Sequence, residues 1–168
     1  FIKLNLYLSL KKIYKIMSFI ICVTRFSDKT LNENEQWKDS RGFTFKKRFY
    51  NTSVKIKDSI PNNHEILVIE MNLTKNSIIA FGLIKNICQQ WRYNIYSDDY
   101  YNRYTYVTSR FMFVEEISRE YKCEVEELEK ELFKGKGHLK RGFGIQQLPK
   151  KKIKNKELFD YVYNNIKQ

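Results

Sequence analysis

The chain has 168 residues, 31 of them Lys or Arg against 19 Asp or Glu, for a formal net charge of +12. Hydrophobic residues at 42% and aromatics at 15% exclude a disordered tail and supply one domain with a real core. The positive balance points to an acidic partner, nucleic acid first, with an anionic membrane or acidic protein behind it. The abundance of Lys, Asn, Ile and Tyr suggests an AT-rich coding sequence, which raises Lys without any binding role, so the placement of charge weighs more than its total. Cysteines at 22, 88 and 123 fit neither a metal knuckle nor a disulfide framework, and the two histidines stand 74 positions apart. Reduced thiols in the cytoplasm or nucleus are expected, with no metal and no cofactor. No run reaches the roughly 18 apolar residues of a membrane span, so no membrane-spanning segment is expected, and no membrane is assigned as a partner.

In chain order, residues 1–16 read as an N-terminal extension ahead of the first methionine, Met17, and residues 17–168 as a single domain. Within the extension Leu4, Leu6, Leu8 and Leu10 alternate with mostly polar residues, the pattern of an edge strand. Phe19 to Val23 is a short β-branched run that predicts a buried strand. Thr24 to Ser40 is polar; Ser27 or Asp28 can cap a short helix with Trp37 near its far end. Gly42 to Tyr50 mixes aromatics with Lys46, Lys47 and Arg48 and reads as a turn followed by a strand or an exposed loop. Ile66–Met71 and Ile78–Ile84 are two strongly β segments joined by polar residues, as in a hairpin. Both are apolar on both sides, which predicts the centre of a sheet, and Gly82 marks a bulge or a close backbone approach.

Trp91 to Tyr106 carries six of the twelve tyrosines. Arg110 to Val114 is a further strand candidate. From Ser118, Tyr121, Val125, Leu128 and Leu132 recur on one helical face, and Lys134-Gly135 ends that helix. Leu158, Tyr161, Val162 and Ile166 form the apolar face of a terminal helix. Strand, helix, several strands, helix, glycine loop, helix is an α+β order, read here as a small, mainly antiparallel β-barrel or strongly curved sheet flanked by helices.

The stretch Gly135 to Pro149 holds four of the six glycines, and from Lys134 to Lys156 there are nine Lys or Arg and no Asp or Glu. Gly137 and Gly142 have GxxxxG spacing, but Phe143 follows where a phosphate loop requires Lys and then Ser or Thr. Nucleotide hydrolysis is therefore not indicated. A flexible backbone flanked by Lys136, His138, Lys140 and Arg141 suits contact with nucleic-acid phosphates. Tyr101 and Tyr104, with Arg103 beside them, can stack on bases, although tyrosines at strand spacing more often pack a core or rim. No catalytic residues are assigned: the sequence has no Gly-x-Ser-x-Gly elbow and no His-Glu-x-x-His, and the carboxylates of Glu124 to Glu131 look like a solvated helix face.

Three stretches resemble the PUA-like superfamily, and within it the YTH and EVE domains. Phe26-Ser27-Asp28-Lys29 through Trp37-Lys38-Asp39-Ser40 is similar to the first strand and helix of a YTH domain. Ile66–Met71 with Ile78–Lys85 is similar to the central hairpin, and Arg103 to Ile117 to a later aromatic strand followed by an acidic turn. The glycine stretch with Gln146-Gln147-Leu148-Pro149 then stands where the family has a basic loop before its last helix. The resemblance implies a small barrel that binds RNA or DNA, with Trp37 and Trp91 as walls of a base pocket. The leading expectation is thus an intracellular nucleic-acid-binding domain, RNA ahead of DNA, enclosing a base, modified or not. Two alternatives stay open. One is a structural or interaction protein, such as a viral particle component or adaptor. The other is a small hydrolase of nucleosides or nucleic acid, which would need a carboxylate or hydroxyl beside Lys136 or His138.

Overall fold

The computed structural model describes residues 17–168; the alternating leucines of residues 1–16 lie outside the described residues. Strand β1, Ile20–Phe26, leads into helix α1, Asp28–Ser40. Strands β2 (Arg48–Thr52), β3 (Glu65–Asn72) and β4 (Ser77–Lys85) follow, then a 3₁₀ turn at Asp99–Asn102 and strands β5 (Tyr104–Thr108) and β6 (Phe111–Phe113). Helix α2, Lys122–Phe133, the two-residue strand β7, Gln146–Gln147, and helix α3, Lys156–Lys167, complete the chain.

The expected barrel is not what forms. Five strands make one open mixed sheet in the order β6-β4-β3-β1-β7, while β2 and β5 pair as a separate antiparallel ribbon. The sheet is mixed because β1 and β3 run parallel, Ile20 opposite Ile66 through Phe26 opposite Asn72. A parallel pair needs a crossover, and α1 and β2 lie in that connection. Sequence pattern does not distinguish this from an antiparallel neighbour, since a strand buried on both faces reads as continuous apolar sequence in either case.

Burial on both faces is realised. Leu67, Ile69 and Met71 of β3 join Phe81 and Leu83 of β4 in a core completed by Leu128 and Leu132 of α2 and Leu158, Phe159 and Val162 of α3. The alternate residues Ile66 and Val68 face a second core with Phe49 and Tyr50 of β2, Tyr106 of β5 and Ile95. The sheet is thus the middle layer between two helices and the β2–β5 ribbon, and β3 is its central strand.

Gly82 proves to be a close approach: a Cβ there would overlap the Tyr50 hydroxyl oxygen and lie 3.1 Å from Tyr50 Cζ. The register irregularity falls instead on the partner strand, between Glu70 and Met71. Glu70 faces the ribbon, fully buried. Its Oε1 accepts from Arg48 Nε at 2.9 Å and from the Tyr50 hydroxyl at 2.7 Å, and its Oε2 accepts from Arg48 Nη2. Burial alone would lower the Arg48 pKa, but the Glu70 carboxylate outweighs it and holds the guanidinium above its ordinary value.

Helix α1 is polar along most of its length and is held by hydrogen bonds as much as by an apolar stripe. Ser27 caps it through a bond from the Thr30 N–H, and buried Asn34 donates to the Phe49 carbonyl at 3.0 Å and to the Tyr96 hydroxyl at 3.1 Å. No helix among the described residues is long and apolar enough to cross a membrane.

Candidate functional site

The carboxyl ends of the parallel strands β1 and β3 are where an α/β-type crossover leaves a crevice. A cavity of about 250 Å³ opens there, lined by Thr24 and Arg25 of β1, Ser27 and Thr30 of the α1 cap, and Leu73 after β3. Asn51 and Thr52 of β2 form a second wall. Tyr96 and Tyr101 come from the tyrosine-rich segment, and Lys140, Gly142, Phe143 and Gly144 from the glycine stretch.

The glycine stretch is pinned at both ends. The Leu139 N–H donates to the Leu132 carbonyl of α2 at 2.7 Å, and the Leu148 N–H to the Ile21 carbonyl of β1 at 2.8 Å. Between them β7 pairs with β1, Gln146 opposite Val23 and Gln147 opposite Cys22. Gly142 and Gly144 hold φ of +137° and +65°, which a side chain would strain. Residues 139–144 thereby turn back over the end of β1.

Arg25 lies under this turn. Its Nε donates to the Leu139 carbonyl at 2.6 Å, and its Nη2 packs against Gly142, 3.0 Å from where a Cβ would sit. Its Nη1 is buried with no hydrogen-bond partner among the described residues. Burial lowers the guanidinium's pKa from the ordinary arginine value. A buried charged donor without an acceptor costs more than the roughly 1–3 kcal/mol of a neutral one. The hydroxyls of Ser27 and Thr30 are engaged in the capping bonds of α1, so Arg25 and Lys140 are the charged groups of the cavity. Among the described residues no carboxylate lines it.

The tyrosine segment is ordered by one residue. The Asn102 Oδ1 accepts from the Ile95 and Tyr96 N–H groups at 3.1 and 3.0 Å and from Asn51 Nδ2 at 3.0 Å, while its Nδ2 donates to the Tyr96 carbonyl at 2.7 Å. Buried Asn102 thus ties the tyrosine loop to β2 and sets the two cavity tyrosines.

Of the residues singled out in the sequence, Lys140 and Tyr101 meet at this cavity. Lys136 and Arg141 are exposed on the same turn but do not line it. His138 accepts the Lys140 N–H at 3.3 Å through Nδ1. Among the described residues no carboxylate or hydroxyl bonds to Lys136 or His138, so the arrangement required of a hydrolase is not built there. Arg103 lies over the Tyr100 ring, 4.7 Å from its centroid, and Tyr104 sits in β5 opposite Thr52 with Lys55 over its ring. Part of the basic run is spent internally: buried Lys152 donates to the Glu131 carbonyl at 2.6 Å, and Lys154 pairs with the Glu131 carboxylate.

The two tryptophans are not brought together as walls of one pocket. Trp37 meets Phe43, Phe49 and Tyr93 at ring separations of 6.2, 5.0 and 5.7 Å and borders a different cleft with Arg41, Phe43, Arg92, Tyr93 and Asn94. Trp91 is 76% exposed and lines neither that cleft nor the cavity. The reason is local: the chain runs exposed through Trp91 and Arg92 before Tyr93 turns inward to complete the aromatic cluster.

No family model, curated protein or solved structure matches the chain. The site therefore stands on its own geometry.

Sequence reasoning missed Arg25, Phe143 and Asn102. Arg25 lay in a segment whose polar character suggested the end of β1 at Val23, whereas the strand continues to Phe26. The signal available was an arginine between Thr24 and the apolar Phe26, two residues before a helix cap.

Proposed function

We propose that the chain is a nucleic-acid-binding domain, preferring RNA to DNA, distantly related to PUA-like domains. The observation that carries this reading is the cavity at the glycine turn, where Tyr101 and Phe143 adjoin Arg25 and Lys140. Aromatic faces stack on bases while cations hold the backbone, which is the combination single-stranded nucleic acid requires. Exposed Lys136 and Arg141 extend the cationic surface along the same turn. In this reading the selective contact moves from the tryptophan pair to the cavity, and exposed Trp91 serves as a stacking platform outside it.

The test is fluorescence anisotropy with single-stranded RNA and DNA oligonucleotides over a salt series. Affinity should fall steeply with salt. A Lys136/Lys140/Arg141 triple alanine variant, losing three phosphate contacts, should flatten the log–log salt slope by roughly 2. A salt-independent affinity, or a triple variant that binds like the parent, would refute the reading.

A further inference from the structure

We infer that the cavity under the glycine turn is a phosphomonoester site, taking the terminal phosphate of a nucleotide together with part of its nucleoside. The inference rests on the nucleic-acid reading above and names what that site recognises. Three observations converge on it. The first is Arg25 itself. One guanidinium nitrogen is anchored to the Leu139 carbonyl, and Nη1 has no acceptor among the described residues. A guanidinium anchored in this way holds a fixed positive charge at the cavity wall, the side chain suited to an oxyanion.

The second is charge. Among the described residues the lining holds two cations, Arg25 and Lys140, and no carboxylate. A phosphomonoester carries about −1.5 to −2 charges at neutral pH, which matches that pair. An internal phosphodiester carries one charge and would leave one cation unmatched. The third is size and wall chemistry. About 250 Å³ is below the roughly 300–1,000 Å³ of pockets that enclose a whole drug-sized ligand, so the site admits a phosphate and its neighbour and leaves the remainder outside. Tyr101, 39% exposed at the cavity, and Phe143, exposed on the turn, supply apolar faces for the nucleoside, which inorganic phosphate would not use.

The experiment is calorimetric titration of the full chain with nucleoside 5′-monophosphates, with the matching nucleosides and inorganic phosphate as controls. The same protein is then titrated with one RNA sequence bearing either a 5′-phosphate or a 5′-hydroxyl. The monophosphate should bind at least tenfold more tightly than the nucleoside and more tightly than inorganic phosphate. The 5′-phosphorylated RNA should exceed its hydroxyl form by a similar factor if the source is a strand end, and show no such preference if the source is a free nucleotide. Arg25→Gln and Lys140→Ala should each remove tenfold or more of the monophosphate affinity. Arg25→Gln also loses the bond to Leu139, so Lys140→Ala, whose ammonium bonds to no other described residue, is the variant that keeps its fold.

Monophosphate binding no tighter than that of the nucleoside, or unchanged in Lys140→Ala, overturns the inference. RNA binding that is salt-dependent and lost in the triple alanine variant, yet blind to both the 5′-phosphate and free monophosphates, overturns the inference and leaves the nucleic-acid reading standing. Monophosphate binding without any RNA binding does the reverse.

Discussion

Gly82 and Tyr50 provide a quantitative test of how the sheet and the ribbon are joined. Gly82 lies in β4 opposite Val68, and a methyl group there would collide with the Tyr50 hydroxyl that serves Glu70. Gly82 φ is not positive, so alanine is sterically allowed by the backbone and gains about 0.4–1 kcal/mol through the unfolded chain. Overpacking costs about 1–3 kcal/mol, and displacing a hydrogen bond to a charged group about 1.5–3 kcal/mol. Gly82→Ala should therefore destabilise by about 2–4 kcal/mol. Tyr50→Phe removes the hydroxyl alone and should cost about 1.5–3 kcal/mol. In the double variant the nearest atom to the new methyl is the ring carbon at 3.1 Å, a contact that a shift of a few tenths of an ångström relieves. The double variant should then be at least about 1 kcal/mol more stable than the sum of the single losses, within the range for directly touching residues. Urea denaturation of the four proteins, followed by circular dichroism, gives the coupling. Additivity to within about 0.5 kcal/mol would refute the account of Gly82 as the space that admits the Tyr50–Glu70 bond.

Three further outcomes follow from the structure. Asn102→Ala removes four buried bonds around the tyrosine loop, so it should destabilise by about 2–4 kcal/mol and speed amide exchange at Ile95 and Tyr96, measured by hydrogen exchange. At pH 8 an aromatic disulfide reagent should label exposed Cys123 at once, whereas burial pushes the Cys22 thiol up to about 12, so it should react only as the chain unfolds; equal rates by mass spectrometry would contradict the burial. The Tyr163 hydroxyl and then Arg110 hold the Glu65 carboxyl below its ordinary range. Its stabilising contribution is therefore present above the unfolded-state pKa and lost as pH falls through the lower folded value, and Glu65→Gln should flatten the acid limb of a stability–pH curve.

How much of this was legible in the sequence differs from element to element. The β3–β4 hairpin, α2 and α3 were readable because their apolar spacing is strong and their ends carry turn residues or glycine. The helix α1 was visible only through Ser27, since its face toward the ribbon uses Asn34 and buried Lys38 in place of aliphatic residues. The parallel pairing of β1 with β3 leaves no local mark. Neither does β7, two glutamines whose strand character comes wholly from the neighbouring edge of β1. For the site, glycine and lysine content identified the turn, and tyrosine content identified the facing wall. Arg25 and Asn102 act through contacts more than 40 residues away in the chain, Leu139 in one case and Asn51 in the other, and a linear pattern does not carry them.

The short strand β7 has a consequence for self-association. An uncovered strand edge offers a row of unpaired backbone groups to any second copy of the same sequence. Among the described residues, β7 occupies the outer side of β1 at Cys22 and Val23, the most apolar part of that strand. The segment that carries the basic turn is thereby also a guard on the sheet. A chain cut before Gln146 would lose its cationic turn's far anchor, the core residues of helix α3 and the cover of an apolar edge in the same stroke.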